Sequence, residues 1–331
     1  MKKKYNILFF TIGLCIFLYF IFSFGIQNLI TNIRTTGFWL IPIIIVWLFI
    51  YLFNTSAWLL IVRKYGSKIS FLKLFSIHLS SSAINYVTPL INLGGEPYRM
   101  LSASEYMDND VSVSSTLLFN FLHIISHLFF WFLCATMILF MFDKIILKLF
   151  SVILLIVLGV IIFIILYGQK NGVFGFLFRI VNKFIFPERI KSFFLKRKDK
   201  FDNIDRLVAD FYINERKIYI KAFLIELAAR FISGFEFYFI LTSIGVNITI
   251  FQSIYIYAAS SLILNILFFI PMETGTREAS LYWIAGSLNM VPGIGIYISV
   301  VNRIREFFWI FVGLILMRFN NNKLNSGAEM Q

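Results

Sequence analysis

The sequence of 331 residues has few charged residues and only two cysteines. Charged residues make up 14% and hydrophobic residues 59%, and the mean hydropathy of +0.83 lies outside the range of soluble domains. Cys15 and Cys134 both fall in apolar stretches, which excludes a disulfide framework and a cysteine-based zinc cluster. A nucleophile elbow, a phosphate-binding loop and a zinc-protease helix are missing too. We therefore expect a protein that is not an enzyme and that needs no cofactor or metal.

The formal net charge of +13 is the second compositional feature. The positions of the basic residues argue against nucleic acid as a partner. These residues lie in loops beside hydrophobic stretches, as the positive-inside rule describes. Basic residues there attract anionic lipid headgroups. The fold class we predict is all-α: a polytopic helical membrane protein with one membrane domain over residues 1–331. Its expected parts are a first half (1–169), a basic cytoplasmic connector (170–217), a second half (218–318) and a short polar tail (319–331).

Long apolar stretches mark the membrane-crossing helices, which need roughly 20 residues for a hydrocarbon core of about 30 Å. Basic residues after the second stretch place that side and the N-terminus in the cytoplasm. The first stretch is too long for a signal peptide and no small-residue cleavage site follows it, so we interpret it as a span of the inner cell membrane. The predicted helices cover residues 7–26, 38–60, 111–142, 149–169, 218–242, 251–270 and 294–317. The short segments 70–86, which we interpret as re-entrant, and 279–291 leave a total of six to eight crossings.

A polar motif interrupts the apolar sequence at Thr88–Met100, TPLINLGGEPYRM. Ionisable residues inside a membrane are rare and usually functional. The glycine pair Gly94 and Gly95 permits unusual backbone dihedrals and close approach of a ligand. A helix starting near Glu96 would offer its N-terminal N–H groups to an anion, and Arg99 could grip a phosphate or carboxylate. Glu96 itself could cap the helix and pair with an arginine, or meet a cationic headgroup or a coupling proton.

The second half carries a related motif at residues 271–278, PMETGTRE. Gly275 predicts the turn, Arg277 supplies a positive charge, and Glu273 and Glu278 flank it. Interrupted apolar segments at matching positions in two halves point to an internal repeat, of the inverted type in many transporters, and to the binding site. The predicted substrate-binding residues are Gly94, Gly95, Glu96, Arg99, Gly275, Arg277 and Glu278.

Other polar residues inside predicted helices have a simpler interpretation. Glu226 and Arg230 are four apart and can neutralise each other on one helix face. His123 and His127 have helical metal-ligand spacing, but neither has a carboxylate or cysteine beside it in sequence, so hydrogen bonding across a bundle is favoured. Weaker candidates for substrate contact are Glu273, Arg303, Arg305 and Glu306. Residues 184–195 fit either an amphipathic helix at the membrane surface or a plain connector.

At its two motifs the sequence resembles the lysylphosphatidylglycerol synthetase transmembrane family of flippase-like integral membrane proteins. The first match is a proline followed by Gly94-Gly95-Glu96-x-x-Arg99, and the second is a proline followed by Gly275, Arg277 and Glu278. The sequence differs from the family pattern at Leu90 and Met272, where glycine is usual. The resemblance implies a polytopic domain that moves lipids, lipid-linked sugars or aminoacylated lipids between leaflets.

In larger family members a soluble aminoacyl transferase domain follows the membrane domain. Because this sequence stops at Gln331, soon after its last predicted span, we expect lipid aminoacylation to be absent. The leading hypothesis is therefore a lipid translocator that binds a charged phospholipid or a polyprenyl-linked headgroup, with anionic lipids as partners. The alternatives are a membrane enzyme, or an accessory scaffold in envelope lipid or glycolipid synthesis. The test between them is whether the two motifs converge or lie apart as separate ion pairs.

Overall fold

The computed structural model describes residues 26–87, 94–141, 143, 145–171, 198–267, 273, 275–291 and 293–328, and throughout them the regular structure is helical. The predicted all-α fold of a polytopic membrane protein is confirmed. Residues 7–25 of the predicted first span, the two prolines Pro89 and Pro271, and the predicted surface helix at 184–195 lie outside the described residues. The helices are α1 (Ile26–Thr36), followed by a 3₁₀ turn (Gly37–Trp39), α2 (Leu40–Lys64), α3 (Phe71–Val87), α4 (Gly95–Ala103), α5 (Asn109–Met141), α6 (Ile145–Asn171), α7 (Lys198–Asn214), α8 (Arg216–Ser243), α9 (Ile250–Ile266), α10 (Thr276–Ser287) and α11 (Gly293–Ala328).

Three helical stretches of the described chain are long and apolar enough to cross a membrane: Ile30–Lys64, Asn109–Phe140 and Ile145–Lys170. Two other long helices, α8 and α11, carry several charged residues inside predicted spans. The number of crossings therefore remains a prediction. Helix α11 continues to Ala328 instead of ending near residue 317, because neither proline nor glycine occurs between residue 317 and Gly327.

Both motifs occupy the same place in the order of helices. Helix α3 has 17 residues and is followed, after the first motif's apolar part, by the short α4 and the long α5. Helix α9 also has 17 residues and is followed by the short α10 and the long α11. This parallel order supports an internal repeat.

The chain divides into two compact units, and the first contains both motifs. Unit 1 comprises residues 1–55, 70–102 and 228–331. Its helix α11 packs along α3, where Ser80 Oγ donates a hydrogen bond to the carbonyl oxygen of Gly313 at 3.0 Å. A Cβ atom at Gly313 would lie 2.6 Å from Cβ of Ala83 and 2.7 Å from the Leu79 carbonyl oxygen. One apolar cluster of unit 1 contains Ile43, Phe237, Ile240, Leu241, Ile256, Leu281, Ile284, Ile298 and Val301.

Unit 2 comprises residues 56–69 and 103–227 and is built from α5, α6 and α7 with parts of α2 and α8. The Asn203 amide donates to Asp110 at 2.9 Å, which ties α7 to α5. An ion pair of 2.8 Å joins Lys64 at the end of α2 to Glu215 before α8. That the chain forms one membrane domain with two sequence halves stays a prediction, since each of the two units combines separate segments of the sequence.

Candidate functional site

The first motif enters the structure as the amino end of α4. The helix begins at Gly95, one residue before the predicted start. Asn85 of α3 reaches this end with both atoms of its amide: its Oδ1 accepts from the Gly95 N–H at 2.7 Å and its Nδ2 donates to Glu96 Oε1 at 3.1 Å. A side chain from α3 thus satisfies the backbone at the start of α4 and orients the glutamate.

Gly95 is required because α3 lies against it. A Cβ atom here would come within 2.1 Å of the Ser81 carbonyl oxygen and 2.6 Å of Asn85 Oδ1, so no larger residue fits without movement of α3. The sequence predicts that a ligand approaches the backbone at Gly95. In the structure a neighbouring helix, α3, makes that close approach. Gly94 lies in a bend just before α4 and is partly buried.

Glu96 and Arg99 differ in how their polar atoms are satisfied. The second carboxylate oxygen of Glu96, Oε2, is buried and has no hydrogen-bond partner in the part of the chain that the structure describes. Arg99 is buried, with 4% exposure, and its Nε donates to Ser81 Oγ at 3.1 Å. Because a buried carboxylate oxygen without a donor is costly, Glu96 is the member of this motif best suited to receive an external group.

The second motif begins with a tight turn that caps α10. Gly275 has φ of 79°, a conformation that side chains other than glycine rarely adopt, as its place in the motif predicts. Its N–H donates to Glu278 Oε2 at 2.9 Å, so the glutamate three residues into the helix reaches back to the cap. The other oxygen of Glu278 accepts from Ser299 at 2.6 Å and from Arg303 at 2.8 Å.

Arg277 is held on two sides by carboxylates. Its Nε donates to Glu273 Oε2 at 2.8 Å, and Nη2 contacts the same oxygen. On the other side Nη1 lies 2.8 Å from Glu306 Oε1 of α11. The sequence predicts that the charges of the second motif pair or face water, and in the structure they pair. Glu278 pairs with Arg303 of α11 and not with Arg277 of its own motif.

A second buried ion pair continues the network across α11. Arg305 donates from Nε to Glu236 Oε1 at 2.9 Å and from Nη2 to Glu236 Oε2 at 3.2 Å. It also lies 3.6 Å from Glu306, which thereby bridges Arg277 and Arg305. Sequence reasoning missed Trp47, whose Nε1 donates to Glu236 at 2.6 Å. An ionisable residue in an apolar helix predicts a partner, but nothing in the sequence indicates which one.

Helix α11 contacts both motifs. Tyr98 of the first motif lies in a buried cluster with Ile84 of α3 and Met317 of α11. Arg277 of the second motif forms an ion pair with Glu306 of α11. The motifs are far apart in sequence, yet both lie in unit 1 and pack against the same helix.

A comparison with protein families gives a match over almost the whole chain. The model of the family described as "Lysylphosphatidylglycerol synthase TM region" matches residues 7–314. The chain belongs to this family. Membership makes it a membrane protein of lipid or envelope metabolism or transport. No curated protein and no solved structure matches it.

The two histidines of α5 have a carboxylate nearby that the sequence did not reveal. His123 Nδ1 lies 2.9 Å from Oε2 of Glu226, a fully buried residue of α8 in the same unit. The rings of His123 and His127 are 5.3 Å apart. Over the residues that the structure describes, no group of three or more histidine, cysteine or acidic residues could hold a metal ion.

Proposed function

We propose that this chain is a lipid translocator, which moves a charged phospholipid or lipid-linked headgroup between leaflets through a polar cavity at the two motifs. The observation that carries the proposal is that both motifs pack against α11. Tyr98 of the first motif clusters with Met317, and Arg277 of the second pairs with Glu306. Substrate sites of membrane transporters form where the interrupted segments of two repeats come together.

Together the motifs offer a headgroup groups of both charges. Glu96, with its unsatisfied Oε2, would receive a cationic group of the headgroup or a coupling proton. The guanidinium groups of Arg277 and Arg99 would receive its phosphate, because a planar guanidinium forms two parallel hydrogen bonds with such an anion. The acyl chains would stay in the bilayer, where they cost nothing to solvate.

The pairing of nearly all these charges supports a second candidate, an accessory scaffold in envelope lipid synthesis. Glu278 with Arg303, and Glu236 with Arg305, form buried or half-buried pairs that need no ligand. Buried pairs can fix helix packing without binding anything. A scaffold would use the network as structural contacts, and an enzyme would need one of its carboxylates as an acid or base.

The experiment is leaflet exchange of labelled phospholipids and polyprenyl-phosphate lipids in liposomes that contain the purified protein. Glu96→Gln removes the charge and keeps the shape. Arg277→Lys keeps the charge and loses the two-point grip, and Arg277→Ala removes both. The matched control is Glu215→Gln, since Glu215 is a comparably exposed glutamate paired with Lys64 in unit 2.

The translocator proposal expects that wild type and Glu215→Gln accelerate exchange of at least one lipid, while Glu96→Gln and Arg277→Lys lose it and remain folded. If no lipid moves with wild type and the site variants only melt earlier, the charges are structural and the scaffold is the better account. Native orientation in the inner cell membrane, with the N-terminus in the cytoplasm, is part of the proposal and can be tested by labelling of single cysteines from each side.

A further inference from the structure

We infer that Glu273 is an exchangeable internal ligand of Arg277: it occupies the guanidinium when the site is empty and gives it up to a singly charged oxyanion of the substrate headgroup. The inference rests on the proposed function and adds to it a specific residue and a charge class. Glu273 lies outside the set of seven predicted binding residues, and its role follows from the way it holds Arg277.

The first observation is the geometry at Arg277. One edge of the guanidinium, Nε and Nη2, faces a single carboxylate oxygen of Glu273, which is the position that a phosphate or carboxylate oxygen of a ligand would take. The remaining nitrogen, Nη1, lies 2.8 Å from Glu306 Oε1 in an ion pair, although it makes no hydrogen bond to the described residues. Arg277 therefore keeps a charged partner when Glu273 leaves.

The second observation is the difference in burial between the two carboxylates. The side chain of Glu306 is 6% exposed and that of Glu273 is 31% exposed. Glu273 is thus the partner that water can reach and that can be solvated after release. Its backbone also has φ of 53°, a left-handed conformation unfavourable for a residue with a side chain. The ion pair with Arg277 keeps Glu273 in this unfavourable conformation, which lowers the net stability of the pair.

The third observation is the charge of the connected cluster. Glu273, Glu306 and Glu236 contribute three carboxylates, and Arg277 and Arg305 two guanidinium groups. When Glu273 withdraws into water, two carboxylates and two guanidinium groups remain. A singly charged anion then restores the charge that Glu273 supplied, whereas a doubly charged phosphomonoester adds one more negative charge beside Glu306. The site consequently fits a phosphodiester or carboxylate better than a phosphomonoester.

The experiment measures binding of two short-chain lipids to the full-length protein in detergent micelles: dihexanoyl phosphatidylglycerol, a phosphodiester, and dihexanoyl phosphatidic acid, a phosphomonoester. Glu273→Gln removes the competing charge at constant shape. We expect it to lower the apparent Kd for the phosphodiester about tenfold or more, because an occupant that holds the site in nine of ten molecules raises the apparent Kd about tenfold. The phosphomonoester should gain less.

Two further variants separate displacement from a general charge effect. The double variant Glu273→Gln with Arg277→Lys should bind the phosphodiester no more tightly than Arg277→Lys alone, since the gain requires the guanidinium that was released. Glu215→Gln, in unit 2, should leave the Kd unchanged. If Glu273→Gln leaves binding the same or weakens it while the protein keeps its melting temperature, or if the gain persists without Arg277, the inference is wrong.

The outcome is distinguishable from a failure of the proposed function. If Glu273→Gln binds the phosphodiester more tightly in micelles but wild type exchanges no lipid in liposomes, the inference about Glu273 stands and the translocator proposal is wrong. If wild type exchanges lipid between leaflets but Glu273→Gln leaves the Kd unchanged, the translocator proposal stands and the inference about Glu273 is wrong.

Discussion

Arg305 lies between a carboxylate and an aromatic ring: its guanidinium carbon is 3.7 Å from the ring centre of Trp47, while its nitrogens bind both oxygens of Glu236. Trp47 also donates to Glu236, so the three side chains form a closed set from α2, α8 and α11. Arg305 and Glu236 are 2% and 1% exposed. The set connects three helices that are separated in sequence.

We predict that Arg305→Ala lowers the free energy of unfolding by about 3–5 kcal/mol, since it leaves the Glu236 carboxylate buried without its main partner. Arg305→Lys should have an intermediate effect, because an ammonium keeps the charge but loses the two-point contact and the stacking on Trp47. Denaturant unfolding of the protein in micelles measures both. Lys64→Ala, which breaks the half-exposed pair with Glu215, should cost at most about 1 kcal/mol. Equal losses for Lys64→Ala and Arg305→Ala would contradict the interpretation.

The contact between α3 and α11 predicts a sharp difference between two glycines. Gly313→Ala should destabilise the protein by about 1–3 kcal/mol, because the new methyl group would overlap Ala83 and the Leu79 carbonyl oxygen. Gly159→Ala in α6 is the matched control, since a Cβ there meets nothing within 4 Å. Alanine is the better helix former, so this control should be neutral or slightly stabilising. Melting temperatures of the two variants check the difference, and a tolerated Gly313→Ala would show that α3 and α11 can separate at low cost.

The pair of His123 and Glu226 predicts coupling within unit 2. His123→Leu should cost about 1–3 kcal/mol, because it removes a hydrogen-bond partner from a fully buried carboxylate. Adding Glu226→Gln should cost less in the His123→Leu background than in wild type, which a double-mutant cycle of unfolding free energies measures. His127→Leu with and without Glu226→Gln serves as the comparison. Additive effects for His123 and Glu226 would sink the assignment of a direct contact.

Tyr65, in the predicted cytoplasmic loop after α2, gives a prediction for pH. Burial and then the nearby Asp210 raise the pKa of the Tyr65 phenol above its ordinary value, and its hydroxyl donates to the Leu207 carbonyl oxygen at 3.0 Å. The folded state thus favours the neutral phenol, so this contribution to stability is complete below about pH 10 and falls as pH rises beyond it.

Tyr65→Phe should therefore be less stable by about 0.5–1.5 kcal/mol at neutral pH. The difference from wild type should shrink between pH 10 and 11.5, because only wild type loses the phenol's contribution. Denaturant unfolding at a series of pH values tests this. Parallel stability curves for the two proteins would count against a raised pKa at Tyr65.

Local features of the structure were predictable from the sequence, and contacts between distant helices were not. Gly95 and Gly275 mark the starts of α4 and α10 because a glycine and a following glutamate are local signals of a helix boundary. The long apolar runs predicted the ends of α2, α5, α6, α8 and α9 to within about four residues, since crossing hydrocarbon requires length and hydrophobicity. The exception is α11, which continues beyond its apolar run to Ala328.

The partners of the charges depend on how helices pack. Glu278 pairs with Arg303 and not with Arg277, although Arg277 is its sequence neighbour. On a helix, adjacent residues point to different faces, so Arg277 is directed to Glu306 and Glu278 to another part of α11. Glu226 and His123 meet for the same reason, across two helices about a hundred residues apart. Hydropathy and spacing contain no information about such pairs.

Helix α11 is attached to its neighbours in unit 1 by contacts of different kinds along its length. Near one end a hydrogen bond joins the hydroxyl groups of Thr36 and Tyr297, in the middle Glu306 pairs with Arg277 of α10, and further on the backbone of Gly313 packs against α3. A turn of α11 about its own axis would break the ion pairs and would bring a residue with a side chain into the place of Gly313 against α3. If the protein translocates lipids as proposed, a motion that preserves these contacts must carry α3, α10 and α11 as a single rigid body, with the hinges elsewhere.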